Sequence, residues 1–124
     1  MSNWSHVAGI IRVDDIRFFR ESTPDFEEII GKTVKFGESI PDGEILPMGS
    51  EGSLDMTVWI NPDKSDIASY TISIFGDLRD HDSPSAIIDW FKEKCNLINV
   101  MFIGVRNACI IVDNEWHGTE TWSM

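Results

Sequence analysis

Between Ser69 and Ile98 the hydrophobic period of the chain changes from two to about 3.6, and few folds accommodate that switch. Over residues 69–75, Tyr70, Ile72 and Ile74 alternate with Ser69, Thr71 and Ser73, as in a strand with one buried face. Gly76 reads as the end of that strand, and Asp77-Leu78-Arg79-Asp80-His81-Asp82 as a polar loop. Ser83-Pro84 then supplies an N-cap followed by proline at the first helical position, where a missing N–H costs nothing. Ile87, Ile88, Phe91, Cys95 and Ile98 recur at helical spacing, with Asp89, Lys92, Glu93 and Lys94 on the other face. Acidic residues come early and lysines late, as the helix dipole favours.

The same order of signals occurs about 62 residues earlier. An apolar run over 7–13 leads into Asp15-Ile16-Arg17, as the later strand leads into Asp77-Leu78-Arg79. Thr23-Pro24 then opens a short helix with Phe26, Ile29 and Ile30 on one stripe, and Gly31 stops it. Two such units predict a duplicated plan of the split βαβ kind. On that plan the two Asp-x-Arg bends lie side by side and share an ion-pair network.

Between and after these units, a short strand is expected over 33–36 and an irregular connection over 37–52. That connection holds Glu44 and Glu51 and no basic residue, and long irregular connections commonly carry function. Residues 54–60 alternate and should pair with the next strand through the turn formers of 61–66. Strands over 100–105 and 109–112 are expected around a tight turn at Arg106-Asn107-Ala108, with a short polar tail from His117. The predicted fold is α+β: a ferredoxin-like two-layer sandwich, with an antiparallel sheet of four to six strands and two helices on one face.

Length confines this to a single domain over 1–124, large enough to bury roughly two thirds of its unfolded surface. No apolar run approaches the ~20 residues of a membrane span, and the first residues lack the regions of a signal peptide. Cys95 and Cys109 read as buried thiols on core faces, in a reducing compartment, so a cytoplasmic location is expected. The formal net charge of −11 opposes direct binding to nucleic acid and docking on anionic lipid. It permits capture of a basic partner or imitation of a nucleic acid's charge.

Candidate binding residues lie in the two bends and the irregular loop: Asp15, Arg17, Glu44, Glu51, Asp77, Arg79, Asp80 and His81. No spacing matches a zinc or calcium loop, so no metal or cofactor is expected. Gly49-Ser50-Glu51-Gly52-Ser53 lacks the lysine and the following helix of a phosphate cradle. No serine stands in a nucleophile elbow, and no pair among His6, His81 and His117 has acid–base spacing. Trp59 and Phe75 are predicted on the sheet face away from the helices, a place for self-association. Trp116 and Trp122, with Trp4, stand near the termini as further interface candidates.

Two strings, Pro47-Met48-Gly49-Ser50-Glu51-Gly52-Ser53-Leu54 and Phe75-Gly76-Asp77-Leu78-Arg79-Asp80, occur with Trp4-Ser5-His6-Val7 and Trp90-Phe91. In combination they resemble small uncharacterised proteins encoded by bacteriophages and prophages. The resemblance spans most of the chain and carries no catalytic residue with it. It implies an accessory protein of the bacterial cytoplasm that binds a host or phage partner. The functional expectation is therefore a non-catalytic interaction protein that self-associates. An acidic nucleic-acid mimic, or a small-molecule binder or enzyme using the 77–82 loop, stands as the alternative.

Overall fold

The computed structural model describes residues 2–16, 23–62, 66–81 and 83–124. Five strands form one antiparallel sheet: β1 (Trp4–Ile16), β2 (Asp55–Ile60), β3 (Ile67–Arg79), β4 (Gly104–Asn114) and β5 (Gly118–Ser123). Their order across the sheet is β2-β3-β1-β4-β5. Two helices, α1 (Phe26–Ile29) and α2 (Pro84–Met101), complete the α+β fold. The α+β class, the antiparallel sheet of four to six strands and the two helices on one face are as expected, with β5 added at the edge outside β4.

Strand β1 is the spine, because both of its edges are paired over most of its length. Ser5, Val7, Gly9, Ile11, Val13 and Asp15 turn to the helix side and are buried, while Ala8 and Ile10 turn away and are exposed. Helix α2 lies over β1, β4 and β5 with Ile87, Ile88, Phe91, Cys95 and Ile98 inward. Gly9 permits the close approach: a Cβ there would sit 3.0 Å from the Phe91 ring. Over the β3 side, Phe26 of α1 meets the Tyr70 ring edge-on at 5.3 Å and stacks on Phe102 at 5.6 Å. Both helices therefore serve the same core, on one face of the sheet.

Ser83 caps α2 as its sequence predicts, accepting a hydrogen bond from the Ala86 amide, with Pro84 next. The cap of α1 is Asp25 and not the Thr23-Pro24 pair, and the helix has only 4 residues. Asp25 has the short carboxylate that reaches both the Glu27 and Glu28 amides. The hairpin of β2 with β3 is present, in register from Asp55↔Phe75 to Ile60↔Tyr70.

Other expectations give way. Strand β3 does not end at Gly76 but runs on to Arg79, and Asp77, Leu78 and Arg79 keep its alternation, Leu78 inward and fully buried. Gly76 holds an inward position that Leu54 already fills, with φ of +151°. No strand forms over 33–36; Lys32 only bridges to Ile45. The expected strand at 100–105 begins as the last turn of α2, and the expected turn at 106–108 is a bulge within the continuous strand β4. There the β1 register passes from Arg12↔Asn107 to Val13↔Val105, leaving Arg106 as the extra residue. Downstream of the bulge the run Ala108-Cys109-Ile110-Ile111-Val112 is apolar throughout, so either frame fits the sequence. Ala108, Ile110 and Val112 take the core, and Cys109 faces out and is exposed, contrary to expectation. The polar tail is β5 itself.

The two bends do not meet. Trp4 of β1 pairs with Arg79 of β3, and Ile16 pairs with Ile67, so Asp15 and Asp77 stand at opposite ends of the sheet. Arg17 lies outside the described residues. Strand direction thus keeps Asp15 apart from Asp77 and Arg79.

Burial pushes the Cys95 thiol up to about 12, so it is protonated as well as inaccessible. In the native protein a thiol-specific reagent should label Cys109 and spare Cys95, which should react only after denaturation; two fast thiols would contradict this burial. Gly49 and Gly52 are crossed closely by β3, and a Cβ at either would enter the Arg79 backbone or the Asp77 carbonyl. Gly49→Ala and Gly52→Ala should each lower stability in urea unfolding by roughly 0.5–3 kcal/mol, the usual range of a destabilising substitution.

Candidate functional site

Register places four rows of side chains across the face that no helix covers. Asp77, His6 and Asp113 make the first row; Asp55, Phe75, Ala8, Ile111 and Thr121 the second. The third is Thr57, Ser73, Ile10, Cys109 and Ser123, and the fourth Trp59, Thr71, Arg12 and Asn107. The third row crosses all five strands without one ionisable acid or base besides the Cys109 thiol. Trp59 is 53% exposed and Phe75 is 42% exposed, and Ile10 and Ile111 are similarly open. A shallow hollow of about 380 Å³ opens at its β4–β5 side between Ile10, Asn107, Cys109 and Met124. The centre of the face is uncharged, with apolar Ile10, Phe75, Ile111 and Trp59 among hydroxyl side chains, and charge depletion at the centre is a mark of protein interfaces.

The sequence-predicted charged residues are mostly taken up in fastening the chain. At the corner where β3 ends, Arg79 Nη1 lies 2.6 Å from Glu51 and its Nε 3.6 Å from Asp80. The Arg79 amide donates to the Glu51 carbonyl, and the Ser50 amide donates to the Arg79 carbonyl. These bonds strap the second half of the long connection to β3 and account for its glycines. Asp80 adopts φ of +54° and receives the Asn3 amide on its carboxylate at 2.9 Å, while its own amide donates to the Asn3 carbonyl at 2.7 Å. His81 follows, partly buried. Asp77 pairs across strands with His6, a residue not selected as a candidate, at 2.7 Å from Nδ1. Only the register of a strand running past Gly76 would have brought those two together.

Glu44 is far from this corner. It meets Lys94 of α2 at 3.0 Å, and Lys94 is buried rather than on the wet face assigned to it. Asp15 is buried at the other end of β1. Trp116 sits in the β4–β5 hairpin, exposed. Trp122 turns inward: its ring meets Phe91 edge-on at 5.9 Å and Lys92 lies 5.7 Å above it. It therefore closes the rim of the core. Among the described residues, no group of three His, Cys, Asp or Glu side chains is placed to hold a metal ion. No described helix is long and apolar enough to cross a membrane.

No family model, no curated protein and no solved structure matches this chain.

The hydrogen bond to Asp77, aided by the neighbouring Glu115, favours protonated His6 and raises its pKa above 6.5. A raised folded-state pKa gives stability that is complete below the unfolded value and fades as pH climbs through the folded one. NMR titration should place His6 above 6.5, and Asp77→Asn should bring it down. An unmoved His6 titration in that variant would show that the pair is not formed in solution.

Proposed function

We propose that this chain is a non-catalytic binding protein of the bacteriophage-accessory kind, which pairs with a second copy of itself through the uncovered face of its sheet. The observation that carries this reading is the uncharged row from Thr57 to Ser123, flanked by exposed Trp59, Phe75 and Ile111. A second copy suits it because a two-fold axis through that row lays uncharged centre on uncharged centre, with Trp59, Phe75 and Ile111 supplying the apolar contact. The same axis keeps Asp55, Asp77 and Asp113 of each copy toward the margin, where water screens like charges. Apolar area removed from water supplies the attraction, at roughly 25 cal/mol per Å².

The acidic character draws on no single face. Asp55, Asp77 and Asp113 stand on the open side, Asp89 and Glu93 on α2, and Glu27 and Glu28 on α1. A mimic of a phosphate line gains nothing from that spread, and the Asp77–Asp80 carboxylates already have protein partners. Self-association is for these reasons the better reading.

Sedimentation equilibrium should find a dimer at protein concentrations on the order of tens of micromolar. Trp59→Ser combined with Phe75→Ser should shift it to monomer with the circular dichroism spectrum unchanged, since both side chains are outside the core. A wild-type monomer under those conditions overturns the proposal.

A further inference from the structure

Helix α2 carries a second apolar stripe that its core contacts do not use. Leu97, Val100 and Met101 follow at the i, i+3, i+4 spacing on its outer side, exposed, Val100 to 84%. Leu97 and Met101, with Ile29 of α1 and the edge of Phe102, floor a groove of about 490 Å³ between the two helices. Its rim is Asp25, Glu28 and Glu44. Glu27 and Asp42 stand just beyond, in an adjoining hollow that also holds Lys32. Among the described residues five carboxylates thus stand with two lysines, one of which, Lys94, is buried beneath Glu44. The last turn of α2 contains no basic residue, so the negative end of its dipole adds to the same field.

We infer that this groove binds a basic amphipathic helix of a partner protein. An apolar floor between helices takes the leucine-like stripe of such a segment, and the acidic rim takes its lysines or arginines. Charge decides the occupant. A second copy of this chain, at −11, would set Asp25, Glu28 and Glu44 against its own carboxylates. Nucleic acid and anionic lipid are repelled by the same rim. The inference rests on the reading of the chain as a binding protein, but uses the helix layer and not the sheet face.

The probe is a fluorescein-labelled synthetic peptide of about 18 residues, leucine and lysine patterned to give one apolar helical face. Controls are the same composition scrambled and a leucine–glutamate version. Anisotropy titrations of the full chain should saturate with the patterned peptide alone, with affinity falling as salt rises. Glu28→Lys with Met101→Asp, both surface changes, should weaken it at least about tenfold. Equal binding of the scrambled peptide would mean diffuse attraction to an acidic protein and would overturn the inference. So would saturation indifferent to the groove variant, no binding at all, or a groove variant that changes the sedimenting mass. The Trp59→Ser, Phe75→Ser double variant should still bind the peptide, which separates failure of the dimer from failure of the groove.

Discussion

Helix and sheet meet where Phe91 lies against the bare backbone of Gly9. Without a Cβ on the central strand, an 18-residue helix settles close over β1, β4 and β5 and buries one stripe along its length. The sheet is thereby covered from one side only. What remains of that side, over β3, has no second long helix among the described residues. It is filled instead by Phe26 from a single helical turn and by Leu46 and Leu54 from the long connection. The open face and the acidic groove both follow from this allotment: the first is what the helices leave bare, the second is the seam between a long helix and a short one.

Charge plays two separate parts in this molecule. Arg79 with Glu51, and Asp80 with the Asn3 amide, fix chain segments that have little apolar material of their own. Solvated pairs of this kind contribute modestly, but here each accompanies backbone hydrogen bonds that already set the geometry. Elsewhere the acids outnumber the bases, and an excess of one sign sets up a long-range field around the chain.

Much of the local structure was legible in the sequence, because local structure has local causes. Alternation from Ser69 to Ile74, the turn formers after Ile60, and Ser83-Pro84 before an apolar stripe each name their element. Errors arose where one residue answers to a distant one. Gly76 looks like a terminator, yet it is small because Leu54 crosses it. Arg106-Asn107 looks like a turn, yet it is a bulge set by the register against β1. Lys94 looks solvated, yet Glu44 from fifty residues away receives it. The two Asp-x-Arg strings end strands that run in opposite directions, which sets them at opposite ends of the sheet, a fact that only pairing reveals. The exposed aromatics Trp59 and Phe75 were readable because alternation alone assigns them to a face. The groove was not, since its floor and its rim come from different parts of the chain.

The buried ammonium of Lys94 has a consequence for how the protein opens. Glu44 reaches Lys94 from the water side, its own side chain 58% exposed, so lifting the connection would part the pair and admit water to the ammonium. The ion pair thus fastens the connection to the middle of α2, although the connection has almost no regular structure. A segment that reads as slack in the amino-acid sequence is tied at that point to the long helix.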